Sequence, residues 1–302
     1  MHSQARILCI LAIFVTVGGQ TYSQESAPPK TTSTPKAIRP GVVRIGAIAY
    51  KPEIVTVFRN LTTYLARNDF ESDFVLYSNH ESLIAALARG EVEIAWLPPV
   101  AHAKFHLQSG RTSKALAMRD VDTNLRVTLV ARDDAKVTSI RDLRGKRLLL
   151  GNTGNAEGAL LPMYYVKQAG IDPDSVKVIS LSKEAHRAGD LIKALQDGRG
   201  DAVFLPDGEW KKAVAFQKAN PDIKSVWSSP QFCHCSFTAA HDFDKDLSLK
   251  FTRLVTGMNP KDPLVAELMK IENTGKWLPA NQKGYEALYD ALEEIDTLLK
   301  KR

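Results

Sequence analysis

The sequence predicts an α/β fold with two lobes, each built on a mixed or parallel sheet flanked by helices. Three observations predict it. Short β-rich runs alternate with helical segments, several of these helical segments stop at a glycine, and one helix–glycine–strand segment occurs twice. Alternation of this kind is typical of parallel sheets covered by helices. The repetition indicates that the two halves resemble each other.

The first half contains three predicted strands and two predicted helices. Residues 53–66 place Val57, Leu61 and Leu65 at helical spacing. The second helix stops at Gly90, where a left-handed helix end is expected. In order, the segments are strand 42–47, helix 53–66, strand 74–77, helix 83–87 and strand 94–97.

The second half repeats this order. A β-rich segment, 125–132, precedes it, and residues 236–240 are predicted to form a return strand, so the chain crosses between the lobes twice. Residues 249–302 are mostly helical in pattern and are expected to pack on the first lobe. The repeated segments are strand 147–150, helix 159–168 ending at Gly170, strand 176–179, helix 191–195 ending at Gly198, and strand 202–205.

Two stretches align without gaps: LIAALARGEVEIAWLP at 83–98 and LIKALQDGRGDAVFLP at 191–206. An acid (Glu93, Asp201) and an aromatic residue (Trp96, Phe204) also correspond. A helix, a glycine and a strand form a generic unit, so coincidence is the alternative. Each copy ends at the carboxyl end of a strand, where open α/β sheets bind ligands. Two such edges facing one another form a cleft, which is the geometry of a hinged trap.

The N-terminal part is predicted to lie outside the fold. Residues 7–17, ILCILAIFVTV, follow Arg6 and are too few to span a bilayer, which takes about 20 residues. A basic start, a short apolar run and small residues are typical of a secretory signal, here 1–24. An uncleaved anchor is the alternative. Residues 25–41, rich in Pro, Thr, Ser and Lys, are predicted to be a disordered tether. We therefore expect a periplasmic or otherwise exported protein.

The remaining chain is predicted to divide into lobe 1, formed by 42–132 and 232–302, and lobe 2, formed by 133–231. The formal net charge is +6, but Lys and Arg are scattered, so no nucleic-acid partner is expected. The glycines at 151, 154 and 158 match neither a dinucleotide fingerprint nor a P-loop. We predict no catalytic residues, no cofactor and no metal.

Two longer stretches resemble a known family. SIRDLRGKRLLLGNTGNAEGALLPMYYVKQAGID at 139–172 and NHESLIAALARGEVEIAWLPPVAHAKF at 79–105 are similar to segments of periplasmic phosphonate- and phosphite-binding proteins. The resemblance implies the type II periplasmic-binding-protein fold and a small anionic ligand, an oxyanion such as phosphonate or phosphite. It also implies export and delivery of this ligand to an ABC permease and ATPase at the inner membrane. We expect the protein to be a monomer.

The family opens one second-lobe helix with a Ser-Thr-Ser run that wraps an oxyanion. This chain has Asn155, Ala156 and Glu157 there. Unpaired N–H groups and the helix dipole favour anions at such a place. Glu157 either adds negative charge to the pocket or turns outward and stabilises its helix.

The resemblance also places other residues near the cleft. His80 matches a ligand-contacting Tyr, Arg126 lies beside the match to another Tyr, and Cys235 matches an Asp. His186 matches a family His if a two-residue insertion is allowed, and Asp207 follows the second Leu-Pro. Each could instead be a surface residue. The predicted ligand-binding residues are Tyr50, His80, Trp96, Arg126, Asn155, Ala156, Glu157, His186, Asp207 and Cys235.

Cys233 and Cys235 flank His234, and four interpretations stay open. They are buried small residues, a Cys-x-Cys disulfide, a metal site with His234 or His241, or thiolates facing a soft ligand such as a trivalent metalloid. In a strand, 233 and 235 share a face and 234 points away, which favours the first two.

The sequence therefore predicts the solute-binding component of an ABC importer. A periplasmic ligand sensor that partners a membrane histidine kinase is the alternative, and an enzyme on the same fold is a third.

Overall fold

The structure, a computed structural model, describes residues 41–152, 154–181, 187–215 and 221–299. The chain divides into two units, 1–39 and 40–302, and all the described residues belong to the second. The predicted signal peptide, the predicted tether up to residue 40, and His186 lie outside the described residues.

The described strands form two mixed sheets. The first has the order β11-β4-β10-β3-β1-β2, and the second has the order β7-β6-β8-β5-β9. This confirms the predicted fold class, two mixed sheets flanked by helices. The strands are β1 Val43–Ile48, β2 Ser72–Tyr77, β3 Ile94–Leu97, β4 Lys114–Arg119, β5 Val127–Arg132, β6 Arg147–Leu150, β7 Lys177–Ser180, β8 Ala202–Pro206, β9 Ile223–Ser228, β10 Ser236–Ala239 and β11 Trp277–Pro279.

The helices follow the predicted order. A single π-helical turn, Ala156–Leu160, leads into the fourth helix. The helices are α1 Ile54–Ala66, α2 His80–Ala88, α3 Pro99–Gln108, α4 Leu161–Gln168, α5 Ala188–Gln196, α6 Asp207–Ala215, α7 Lys245–Thr256, α8 Pro263–Ile271 and α9 Glu286–Leu299. Among these described helices, none is both long and apolar enough to cross a membrane.

The two aligned stretches adopt the same local structure. Each runs from a helix (α2, α5) through a left-handed glycine into a central strand, with φ of 67° at Gly90 and 74° at Gly198. β3 is parallel to β1 and antiparallel to β10, and β8 is parallel to β6 and antiparallel to β5. The internal repetition is therefore also a repetition of strand topology.

The chain passes from the first sheet to the second between β4 and β5, and returns between β9 and β10. These two crossing segments pair through Leu125 and Phe232, whose backbone N–H groups donate to each other's carbonyls at 3.0 and 2.9 Å. The predicted return strand is confirmed as β10, between β3 and β4.

The lobe boundary predicted at 132 needs correction, because β5 pairs with β8 and β9 in the second sheet. All of β5 except Arg132 is buried, so this strand needs a neighbour on each side and cover on both faces. The C-terminal prediction holds for α7 and α8, which pack on β4, β11 and α1. Helix α9 differs, because it packs against both α3 and α4 and so contacts both halves.

Candidate functional site

Five ionisable side chains meet beside the two crossings, and we call them the crossing cluster: Arg119, Asp122, Glu157, His234 and Cys235. Arg119 ends β4, and Asp122 lies in the short helical turn Asp120–Asp122 that follows it. His234 and Cys235 precede β10. Glu157 comes from the π-helical turn after β6, at the carboxyl end of a parallel strand. Both sheets therefore supply residues to the cluster.

Arg119 holds two carboxylates. Its Nε and Nη2 donate to the two oxygens of Asp122 at 2.6 and 3.0 Å, and Nη1 donates to Oε2 of Glu272 at 3.0 Å. Asp122 is 2% exposed and Glu272 is 3% exposed. A bidentate hydrogen bond to a buried carboxylate fixes the orientation of both planar groups. This contact orients the Asp122 carboxylate towards the second crossing.

His234 contacts three side chains. Its Nδ1 lies 3.2 Å from Oδ1 of Asp122 and 3.0 Å from Sγ of Cys235. Its Nε2 lies 3.1 Å from Oε1 of Glu157. The backbone is also fixed, because the N–H of His234 donates to the Asp122 carbonyl and the Tyr285 hydroxyl donates to the His234 carbonyl. The imidazole therefore joins the second-sheet Glu157 to the crossing.

Burial and charge pairing shift the pKa values of these groups in opposite directions. Burial by itself raises the pKa of Asp122, but hydrogen bonds from His234 and Arg119 hold it below the usual value. Burial also opposes ionisation of Glu157, and His234 lowers its pKa. Burial lowers the pKa of His234, whereas Cys235, Asp122 and Glu157 raise it well above the ordinary value. The folded protein therefore favours an imidazolium between two carboxylates.

Charge in and around the cluster is largely paired. Lys51 lies 3.7 Å from Oε1 of Glu272, and the Tyr50 hydroxyl donates to the same oxygen at 3.1 Å. Arg119 and Lys51 thus both face acids. An anion that enters this place must replace a carboxylate or bring its own proton.

The loop before α4 is compact because of one glycine. A Cβ at Gly158 would lie 2.3 Å from the carbonyl oxygen of Asn152, and the N–H of Gly151 donates to the Gly158 carbonyl at 3.2 Å. In this loop Asn155 is exposed, Ala156 is buried, and Glu157 is half-buried with its carboxylate on His234. Of the three predicted residues, Glu157 reaches the cluster.

Two further predicted residues lie together at the first crossing. The Arg126 guanidinium donates to the Ser229 carbonyl, so it joins the two crossings. The backbone N–H of Asp207 donates to the Arg126 carbonyl at 2.9 Å. The Asp207 side chain accepts from Thr128 and pairs with Lys211.

The first-sheet predictions differ in exposure. Tyr50 is 54% exposed and adjoins the cluster through Glu272. Trp96 is 7% exposed and packs against other aromatic rings, with the Arg119 guanidinium 5.3 Å from its ring centre. His80 is the exposed first residue of α2. Ligand binding by these residues stays a prediction.

Cys233 and Cys235 are buried free thiols, so the disulfide alternative is not what the structure shows. Residues 233–235 precede the strand and are irregular, so the expectation that His234 points away from Cys235 is wrong. Cys233 packs at Gly284, where a Cβ would lie 2.2 Å from its Sγ. Burial, and then the charge of Asp122, raise the pKa of Cys233 to about 11.

Sequence reasoning missed Arg119, Asp122 and Glu272. The first two follow an apolar run at 115–118, and charged residues directly after a buried strand could have signalled them. Glu272 ends α8, far along the chain, and no local pattern connects it with Arg119.

Comparisons with known proteins agree with this architecture. Residues 46–285 match the family described as ABC transporter, phosphonate, periplasmic substrate-binding protein. The chain belongs to this family. The family consists of solute-binding transport proteins of the periplasm, in agreement with the function that the sequence predicts.

Individual relatives are distant. A probable ABC transporter phosphite-binding protein, PhnD1 of Prochlorococcus marinus (strain MIT 9301), is 22% identical over 289 residues, which cover 89% of this chain and 93% of that protein. The structure of that organism's PhnD1 with methylphosphonate has a TM-score of 0.59 at 18% identity, covering 85% of this chain and 99% of the other. XAC2383 of Xanthomonas citri bound to ATP has a TM-score of 0.66 at 14% identity, covering 85% and 98%. At these identities the structural matches show the type II periplasmic-binding fold.

Proposed function

We propose that this chain captures a small phosphonate-class oxyanion at the crossing cluster and delivers it to an ABC permease and its ATPase. The family match over residues 46–285 supports the solute-binding role. The contact between Glu157 and His234 supports the location, because it joins the helix-leading turn of the second sheet to the crossing. Export through residues 1–24 is part of this proposal.

The ligand replaces one partner of His234. A phosphonate oxygen takes the place of the Glu157 carboxylate at Nε2, which then donates its N–H to the ligand. Such a hydrogen bond between an imidazolium and an anion is among the stronger ones in proteins. The N-terminal N–H groups of the 156–160 turn add further donors.

Glu157 then selects among oxyanions. A phosphonate or phosphite monoanion keeps one P–OH group, which can donate to the Glu157 carboxylate. A sulfonate or sulfate is fully ionised and has no proton to donate, so Glu157 repels it. Specificity of this kind comes from the repulsive element as much as from the attractive one.

Calorimetric titration of the exported protein tests the proposal. We expect methylphosphonate and phosphite to bind, and methanesulfonate and sulfate to bind at least about tenfold more weakly, a difference of about 1.4 kcal/mol. Glu157→Gln should narrow this preference, because the neutral amide can donate to a sulfonate. Glu209→Gln, an exposed acid in α6, is the matched control and should leave it unchanged. If none of the phosphorus oxyanions binds, or if Glu157→Gln keeps the full preference, the proposal is wrong.

A further inference from the structure

Three donor atoms of different chemistry converge in the crossing cluster. An imidazole nitrogen of His234, a carboxylate oxygen of Asp122 and the thiol sulfur of Cys235 all lie within 4.8 Å of one another. Asp122 and Cys235 are buried, and His234 is half-buried. We propose that Asp122, His234 and Cys235 form a binding site for one divalent d-block cation of the Zn²⁺ class. This goes beyond the proposed oxyanion capture and does not depend on it.

The spacing suits such an ion. Zinc binds sulfur at about 2.3 Å and imidazole nitrogen or carboxylate oxygen at about 2.0–2.2 Å, so tetrahedral ligands lie about 3.3–3.8 Å apart. The measured separations from Nδ1 are 3.2 Å to the oxygen and 3.0 Å to the sulfur. The oxygen and the sulfur lie within 4.8 Å of each other, so a movement of up to about 1 Å places the three atoms at three corners of a tetrahedron.

The contacts of Nδ1 also indicate a cation. One ring nitrogen carries at most one N–H, so a linear hydrogen bond to the Asp122 oxygen leaves the Cys235 sulfur with only a weak or shared contact to Nδ1. A metal ion placed between the three atoms satisfies all of them together. A thiol–imidazole nucleophilic pair needs no second acceptor at the same nitrogen, so the convergence on Nδ1 favours a metal site over such a pair.

The surroundings hold the three ligands in place. Glu157 lies 3.1 Å from Nε2, the nitrogen left over when Nδ1 binds a metal. A carboxylate on that nitrogen fixes the ring and makes it a better ligand. Arg119 holds the Asp122 carboxylate with two hydrogen bonds in the same way. Two of the three candidate ligands, His234 and Asp122, are therefore each held in orientation by a charged side chain.

The charge count is compatible with a divalent cation. Three carboxylates, those of Asp122, Glu157 and Glu272, face Arg119, Lys51 and the imidazolium of His234, so the metal-free cluster is balanced. Binding of a metal releases one proton from Nδ1 of His234 and one from the Cys235 thiol. A divalent ion replaces these two protons with the same charge, so the buried cluster stays balanced.

The pairing of donors also favours Zn²⁺ over hard cations. Thiolate and imidazole are the ligands of zinc and its d-block neighbours, whereas Mg²⁺ and Ca²⁺ prefer oxygen. The partly exposed His234 leaves one side of the site open to a fourth ligand.

Cobalt titration of the metal-free full chain tests the inference. We expect one Co²⁺ per chain, a thiolate-to-cobalt charge-transfer band in the near ultraviolet, and visible bands of tetrahedral intensity, all removed by added Zn²⁺. Cys235→Ser should abolish the charge-transfer band. Cys233→Ser is the matched control and should keep it, because that thiol packs at Gly284, towards α9. Glu157→Gln should weaken Zn²⁺ binding about tenfold, the usual cost of losing an orienting carboxylate.

A second measurement uses the unaltered protein, in case Cys235→Ser does not fold. Zn²⁺ should protect Cys235 from alkylation under mild denaturant and leave Cys233 at its metal-free rate, as read by mass spectrometry of the peptides. A missing charge-transfer band, a band that persists in Cys235→Ser, or equal protection of both thiols overturns the inference. Methylphosphonate titration of the metal-free protein is read separately, so failure of oxyanion capture and failure of the metal site give different results.

Discussion

The stretches 83–98 and 191–206 build the same unit in the two sheets, and they fix it with the same ion pair. Arg44 in β1 binds Glu93 through its backbone N–H at 2.7 Å and through its guanidinium. Arg147 in β6 binds Asp201 in the same way, with the backbone contact at 2.8 Å. Each arginine also donates to the carbonyl of the glycine that ends the helix. The acids that correspond in sequence therefore correspond in structure.

The two units differ in how they fill the space between helix and sheet. In the first, Gly46 on β1 faces Val92 and Leu83. In the second, the small residue is Gly200, at the position equivalent to Val92, and Leu149 of β6 fills the space. The first unit has the glycine on β1 and the large residue before β3, whereas the second unit has the large residue on β6 and the glycine before β8. Close packing fixes the sum of the two volumes and leaves their distribution open.

A second difference lies in the helix after each strand. His102 in α3 corresponds to Trp210 in α6, and both are buried. His102 lies 2.8 Å from the Thr238 hydroxyl and 3.0 Å from the Tyr289 hydroxyl. The first unit thus carries a titratable core position where the second carries an apolar one.

The largest expected effect is the difference in stability lost when Gly200 and Gly46 are each replaced by alanine. In Gly200→Ala, the new Cβ would lie 2.5 Å from Leu149 Cγ and 3.2 Å from the Arg147 carbonyl, atoms that move little. In Gly46→Ala, it would meet the movable ends of Leu83 and Val92 at 2.5 and 3.2 Å. We expect the free energy of unfolding to fall by about 3 kcal/mol for Gly200→Ala and about 1 kcal/mol for Gly46→Ala. Urea unfolding measures both.

Gly189→Ala is the matched control, since its Cβ would have nothing within 4 Å and it lies in the first turn of α5. Alanine there should leave stability unchanged or raise it slightly. Equal losses at Gly46 and Gly200 would contradict the packing difference between the units.

The next effect is a pH dependence confined to the first unit. Burial, and then the neighbouring charge of His106, lower the pKa of His102 to about 3. The unfolded chain binds this proton near pH 6.5 and the folded chain does not, so stability is full above about pH 6.5 and is lost as the pH falls. Linkage gives a loss of about 2 kcal/mol at pH 5 relative to pH 8.

Unfolding at several pH values measures this loss in the unaltered protein, in His102→Gln and in Trp210→Phe. Glutamine can replace the hydrogen bonds but does not titrate. The change in stability between pH 8 and pH 5 should therefore be about 2 kcal/mol less unfavourable than in the unaltered protein, since His106 and His234 contribute equally to both. Trp210→Phe should lower stability and keep the loss. If His102→Gln and the unaltered protein show the same pH dependence, His102 does not contribute to it.

The smallest expected effect is the stability lost when the charge of each ion pair's acid is removed. Glu93→Gln and Asp201→Asn should each lower the free energy of unfolding by about 1 kcal/mol, because the amide oxygen still accepts the backbone bond but loses the charge. The side chains of Arg147 and Asp201 are 43% and 19% exposed, and those of Arg44 and Glu93 are 17% and 28% exposed, so the Arg147 pair is the more exposed one. Salt screens exposed pairs more strongly, so 1 M NaCl should reduce the Asp201 effect more than the Glu93 effect. If 1 M NaCl reduces the two effects equally, the two ion pairs do not differ in screening.

Strands and helices were predictable because their signals are local. The repeated stretches carry a helical apolar spacing, a left-handed glycine and a short apolar strand, and each of these acts within a few residues. The pattern of 125–132 predicts a strand equally well. It does not say which sheet receives the strand, because a strand that is buried on both faces has the same pattern in either sheet.

The sequence by itself determined the α/β class, the internal repetition, the two crossings and the presence of Glu157 and Cys235 near them. Only the tertiary structure decided that Glu157 meets His234, that Arg119 holds Asp122 and Glu272, and that His234 turns towards Cys235. These contacts join residues from β4, the turn before α4, the end of α8 and the segment before β10. Side-chain pairing across such distances depends on how the two sheets and the C-terminal helices pack, and local periodicity carries no record of that packing.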